Sequence, residues 1–213
     1  MSQIIRLAIS TCPNDTYAFA GLLLDQVDTQ GLEFQWSLLD IQQLNDGLFA
    51  DRFDVAKGSF FAALQLADRM VVLPAGSAVG FGVGPLLLAA ETGQTPADRS
   101  QLTLCPGELT TAHFLYRAFY GQTTVEHVVF SDIMPRLQQR TADFGVCIHE
   151  GRFTYAEQGL ACIADLGELW ESQTGQSLPL GGIFARSSLP DDVLQRVNTA
   201  IVASIQWAHS HRD

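Results

Sequence analysis

Cys147-Ile148-His149-Glu150-Gly151-Arg152-Phe153-Thr154-Tyr155 gathers a thiol, an imidazole, a carboxylate, a guanidinium and a phenol within nine residues. A histidine closing an otherwise apolar run can take and return a proton near neutral pH, so His149 reads as a general base. Phe153 stands where the second histidine of a His-Glu-x-x-His would be, so zinc-protease chemistry is not indicated and no metal site is expected. Glu150 adjoins His149, but adjacent strand residues face opposite ways, so the group that orients the imidazole is expected to come from elsewhere. Arg152 is placed among the substrate contacts.

Three further segments carry groups suited to recognition. In Lys57-Gly58-Ser59 the glycine lets backbone approach a ligand, and the serine can cap a helix or hold an anion. Pro106-Gly-Glu-Leu-Thr-Thr-Ala112 places Thr111 and Ala112 at a helix start, where free N–H groups suit a carboxylate or phosphate. Cys12-Pro-Asn-Asp-Thr16 leads from a strand into a helix, so Asn14 and Asp15 serve either as caps or as contacts to a polar ligand. Lys57 is the one lysine beside eleven arginines. That bias reflects either genome composition or a place where a compact ammonium is needed.

These segments need a scaffold, and the apolar pattern supplies one. Runs rich in β-branched residues alternate with stretches of helical period, which predicts βαβ units and a mostly parallel sheet. Strands are expected at Ile4–Ser10, Leu32–Leu39, Phe53–Lys57 and Met70–Leu73. Helices are expected after Cys12-Pro13, from Asp40 to Leu48 and from Ser59 to Ala67. Beyond the glycine-rich Gly76–Pro85, strands are expected at Leu86–Ala90, Leu102–Cys105, Val125–Phe130, Phe144–His149 and Gly182–Arg186, and helices at Thr110–Tyr120 and Asp132–Arg140. A last helix from Pro190 carries Val193, Val197, Ile201 and Ile205 at helical spacing. The fold class is therefore α/β with two lobes and a ligand cleft between them, of the type II periplasmic-binding-protein kind. Residues 1–85 and 187–213 form the first lobe, which is expected to lack its C-terminal part, and residues 86–186 form the second. Gly80-x-Gly-x-Gly84 precedes Pro85 and a strand rather than a helix, so it reads as a crossing and not as a dinucleotide fingerprint.

Composition narrows the partners. A net charge of -11, with 12 basic residues against 23 acidic, argues against nucleic acid and anionic membrane surfaces. No apolar run reaches the length of a membrane span. Cys12, Cys105, Cys147 and Cys162 form no Cys-x-x-Cys pair and read as buried free thiols in a reducing compartment. The opening segment, broken at Arg6, is too short for a secretory leader, and a cytoplasmic location is expected.

Ser10-Thr-Cys-Pro-Asn-Asp-Thr16, Lys57-Gly-Ser59, Gly82-Val-Gly-Pro85, Pro106-Gly-x-x-Thr-Thr-Ala112, Ile148-His-Glu-Gly-Arg-Phe-Thr-Tyr155 and Leu178-Pro-Leu-Gly-Gly-Ile183 together resemble the 1,4-dihydroxy-6-naphthoate synthase family, in order and over nearly the whole chain. The resemblance implies a cofactor-free lyase that cleaves cyclic dehypoxanthinylfutalosine to 1,4-dihydroxy-6-naphthoate and dihydroxyacetone in menaquinone biosynthesis. It implies His149 as proton acceptor and substrate contacts at Lys57 to Ser59 and at Thr111 and Ala112. The partner is then a small-molecule carboxylate; a homodimer is compatible with the sequence. Thr11 stands where the family has proline, and Gly58 and Gly151 stand where bulkier residues are usual, which predicts looser turns. Chorismate dehydratase is similar in fold, and would carry an Ile-Gly-Asp-type turn at Ile148-His149-Glu150. A non-catalytic solute-binding lobe pair is the other class that the pattern allows.

Overall fold

A strand buried at its centre is rich in apolar residues, and Ile4–Ser10 carries five of them in seven. In a computed structural model that describes residues 3–211, β1 (Gln3–Ser10) sends Ile5, Leu7 and Ile9 into one core and Ala8 into another. The chain then turns through α1 (Pro13–Ala18) and α2 (Ala20–Leu23) into β2 (Leu32–Leu39), which pairs with β1 in parallel along its whole length. Neither Asn14 nor Asp15 caps α1. Pro13 takes the first helical position, where its missing N–H costs nothing, so Cys12 is the N-cap. Asp40 caps α3 (Ile41–Phe49) as expected, accepting from Gln42 N at 2.8 Å and Gln43 N at 3.0 Å while Gln43 Oε1 accepts from Asp40 N at 3.2 Å.

The third strand lies two residues later than the sequence predicts. β3 (Val55–Ser59) includes Gly58 and Ser59, and every one of its residues is buried. α4 (Phe60–Leu64) is correspondingly short, and β4 (Met70–Val72) follows. The glycine-rich crossing contains β5 (Ala78–Gly80).

Next come β6 (Leu86–Ala89), β7 (Leu102–Cys105), α5 (Thr111–Phe119), β8 (Thr124–His127), α6 (Phe130–Gln138), β9 (Phe144–Cys147) and α7 (Gly151–Thr154). α6 begins two residues before the expected start, because Phe130, Ile133 and Leu137 share one face toward the core beneath it. β9 ends at Cys147, two residues short of His149. β10 (Ala161–Asp165) and α8 (Leu166–Thr174) have no counterpart among the predicted elements. β11 (Leu178–Arg186) and α9 (Asp191–Ser210) complete the order. The last helix was expected to run to the end of the chain, and residues 212 and 213 lie outside the described residues.

The elements form two compact units, one up to Ala78 and again from Gly181, the other Val79–Leu180. In the first, the sheet order is β2-β1-β3-β11-β4, with β5 pairing β11. The strand Gly182–Arg186, expected in the second lobe, therefore belongs to this sheet: it runs antiparallel to β3, with Ile183 opposite Lys57. Val193, Val197, Ala200 and Ile201 of α9 close the core over Leu7, Ile9 and Ile183. Ser204 pins that helix by donating to Ala18 O at 2.8 Å and accepting from Leu22 N at 3.2 Å. The second unit has the order β10-β6-β9-β7-β8. No helix among the described residues is long and apolar enough to cross a membrane.

Two predictions follow from this packing. Gly84 and Gly167 touch backbone to backbone, so that a Cβ on Gly84 would lie 2.6 Å from Gly167 Cα. Gly84→Ala is expected to destabilise the fold by about 1–3 kcal/mol, read from its thermal midpoint against the parent. Asp54 accepts from Arg6 N, Nε and Nη2 at 2.7–3.0 Å. Burial pushes the Asp54 carboxyl up, and the Arg6 hydrogen bonds outweigh it, leaving the carboxyl below its ordinary 3.8. The contribution is therefore complete above the unfolded-state value and is lost as pH falls through the lower folded one. Asp54→Asn is expected to weaken the fold at neutral pH and to flatten the loss of stability below about pH 4, seen in urea unfolding at stepped pH.

Candidate active site

The first unit brings two of the sequence segments together. β1 and β3 are parallel neighbours, so the turns that follow them leave the same edge of the sheet. There Lys57 Nζ lies 3.1 Å from Asp15 Oδ1, with both residues buried: Lys57 is 9% exposed and Asp15 4%. Asp15 Oδ2 accepts from Ser10 Oγ at 2.6 Å and from Ser10 N at 3.2 Å. Asn14, one residue before, is exposed and takes no part in the pair.

Ser59 makes no side-chain cap to α4. Its N–H donates to Asn45 Oδ1 at 2.9 Å, and its hydroxyl accepts from Asn45 Nδ2 at 3.3 Å. Asn45, fully buried on α3, thus fixes the turn after β3. No reading of the segment around Lys57 reveals it; the signal is an amide on the apolar face that Leu44 and Leu48 share. Gly58 does not loosen this turn, since a Cβ there would lie 2.7 Å from Leu48 Cδ1.

In the second unit β7 and β9 are also parallel neighbours, and β6 enters beside β9 with Leu86 opposite Cys147. The loop before α5, the turn holding His149 and the glycine-rich crossing therefore share one sheet edge. Thr110 caps α5, accepting from His113 N at 3.2 Å and donating to Gly107 O at 2.7 Å. Thr111 donates to Leu180 O at 2.9 Å, and Ala112 is buried beside it in the first turn, with the positive end of α5 at their amides. His113 and His127 meet edge-on at 4.6 Å, and His113 Nδ1 is 2.8 Å from Glu108 O, bracing that loop. Burial, and then His113, lowers the His127 pKa.

His149 is half-buried and has φ of 56°, in the left-handed region that side chains with a Cβ rarely adopt. Its ring meets Phe130 edge-on at 5.1 Å between centroids. Glu150 is exposed. Gly151 packs tightly rather than loosely, since a Cβ there would overlap Cys147 Sγ. Burial pushes the Cys147 thiol up to about 11, so it is a packing group. Cys12 and Cys105 are likewise buried, whereas Cys162, expected to be buried, is exposed on the edge strand β10. Arg152 holds structure: its guanidinium donates to Gly84 O at 2.9 Å and Gly82 O at 3.2 Å, and pairs with Asp165 Oδ2 at 2.5 Å. Asp165 Oδ1 caps α8 through Gly167 N and Glu168 N. Among the described residues no three His, Cys, Asp or Glu side chains gather as a metal site would require.

Two α/β units linked by two crossings, each carrying polar groups at one sheet edge, define a protein with the type II periplasmic-binding-protein-like fold. The periplasmic aliphatic sulphonate binding protein SsuA from Escherichia coli shares it, with a TM-score of 0.66 at 13% identity over 100% of this chain and 76% of that one. Protein AF1704 from Archaeoglobus fulgidus superposes with a TM-score of 0.92 at 31% identity, over 99% and 78%. The family model described as menaquinone biosynthesis matches residues 5–213, and the chain belongs to that family. A relative from Thermus thermophilus named 1,4-dihydroxy-6-naphtoate synthase is 36% identical over 209 residues, covering 98% of this chain and 76% of its own. One from Streptomyces coelicolor with the same name is 37% identical over 215 residues, covering 97% and 74%.

The backbone at His149 sets which replacements are informative. Asn tolerates a positive φ and a β-branched residue does not. His149→Asn is expected to keep the parent's thermal midpoint within about 1 °C, and His149→Val to lose about 1–2 kcal/mol, both by calorimetry.

Proposed function

We propose that this chain is a 1,4-dihydroxy-6-naphthoate synthase, a cofactor-independent carbon–carbon lyase. It cleaves cyclic dehypoxanthinylfutalosine to 1,4-dihydroxy-6-naphthoate and dihydroxyacetone, in the cytoplasm. Family membership and two relatives bearing that name support the activity. The observation that carries the mechanism is the placement of His149 in a constrained turn beside the loop that starts α5. His149 is the base: it accepts a substrate hydroxyl proton, which starts cleavage of the carbon–carbon bond to the sugar-derived part. Formation of an aromatic naphthalene draws the step forward. The substrate carboxylate rests on the first-turn amides of Thr111 and Ala112, where the helix dipole favours an anion. Lys57, Gly58 and Ser59 take its hydroxyls, with the turn geometry supplied by Asn45. Arg152 serves the same site indirectly by tying the crossing to β10. Ile148-His149-Glu150 in place of an Ile-Gly-Asp-type turn favours this lyase over a chorismate dehydratase.

The test is turnover of cyclic dehypoxanthinylfutalosine, followed as appearance of the naphthoate. The parent chain is expected to form product, and His149→Asn to lose about 100-fold or more in kcat. A variant within about threefold of the parent would remove His149 from its role. Dehydration of chorismate by the parent, with no naphthoate formed, would overturn the lyase reading.

A further inference from the structure

Asp15 and Lys57 lie 42 positions apart in the sequence, yet their side chains form one buried pair. A buried ammonium is tolerated when an opposite charge and hydrogen bonds replace its water, and Asp15 supplies the opposite charge here. The carboxylate is already occupied: Ser10 N and Ser10 Oγ bind Oδ2 and Lys57 binds Oδ1. It is 4% exposed, and a second anion beside it would be repelled. The ammonium is not saturated in this way. It carries three N–H donors, and Asp15 is its one charged partner among the described residues. It also lies beside Gly181, where a Cβ would come within 3.3 Å of Lys57 Cε, so a glycine leaves room at this point of the strand opposite.

We infer that Asp15 is a positioning residue: through Ser10 it is fixed in place, and it holds the Lys57 ammonium so that the remaining N–H donors meet an anionic or hydroxyl oxygen of the substrate. The inference rests on Lys57 contacting substrate, as proposed above, and it moves Asp15 from substrate contact to the support behind it. It also accounts for the lone lysine. Guanidinium is planar and wider, whereas a compact ammonium at the end of a flexible stem can approach a single carboxylate oxygen inside a sheet edge and still offer donors elsewhere.

Because Lys57 is the one lysine in the chain, selective ¹⁵N-lysine labelling yields a single Nζ signal and reads this group whether or not the protein turns over. The signal is expected to be narrow and slow to exchange with solvent in the parent, and to broaden with exchange at least about fivefold faster in Asp15→Asn. Identical signals in the two would overturn the inference. The kinetic arm is a double-mutant cycle with cyclic dehypoxanthinylfutalosine. Asp15→Asn is expected to lower kcat/KM by about tenfold to a hundredfold, Asp15→Glu to recover part of it, and Asp15→Asn to add nothing once Lys57 is Met. Equal losses with Lys57 present and absent would mark Asp15 as a packing residue and overturn the role. Thermal midpoints of all four proteins separate folding from positioning, and Asp15→Asn with Lys57→Met removes both charges together if either single variant unfolds. A parent chain without turnover would sink the proposed reaction, and the Nζ signal would then decide the Asp15–Lys57 pairing alone.

Discussion

Every residue of β3, from Val55 to Ser59, is buried between β1 in parallel and β11 in antiparallel pairing. A strand so placed would ordinarily be apolar throughout, and this one contains Lys57. The charge has to be met inside the sheet edge, and Asp15 meets it from the turn that follows β1. Much of the first unit depends on that requirement. Pro13 starts α1 one residue past Cys12, so Asp15 points inward instead of capping. Ser10 closes the carboxylate from behind, and Asn45 on α3 fixes the backbone on the far side of Lys57.

The second unit solves a related problem with different groups. Its sheet edge holds a helix start and a histidine, and the strain sits in the backbone rather than in a buried charge. His149 sits at positive φ in a tightly held turn: Gly151 packs on Cys147, and Arg152 ties the following turn to the crossing and to β10. The guanidinium and Asp165 thereby couple the turn of His149 to the cap of α8.

The alternation of strands and helices was legible because burial on both faces writes continuous apolar runs, and β1, β2 and the cap at Asp40 lie where the pattern puts them. Boundaries were less so where pairing rather than propensity decides them. β3 extends over Gly58 and Ser59 because β11 pairs there, and β11 belongs to the first sheet because of contacts across more than 100 residues of chain, which no local window contains. β10 and α8 escaped because the apolar run of β10 is only four residues long and α8 starts directly after it, capped by Asp165, whose charge is met by Arg152 from another turn. At the site, the reactive segments were visible by type and position. Their connections were not: the carboxylate facing Lys57, the amide behind Ser59 and the carbonyls that Arg152 holds are all non-local.

Sequestering the one lysine also alters how the molecule meets reactive small molecules. An ε-amine is the side chain that acyl donors and reducing sugars modify most readily, and the surface here presents guanidinium groups, which remain protonated and are poor nucleophiles. Dihydroxyacetone, the ketose released in the proposed reaction, is a glycating agent of this kind. The one side-chain amine in the chain is 9% exposed and paired with a carboxylate, so the exposed surface offers such a sugar no lysine to modify.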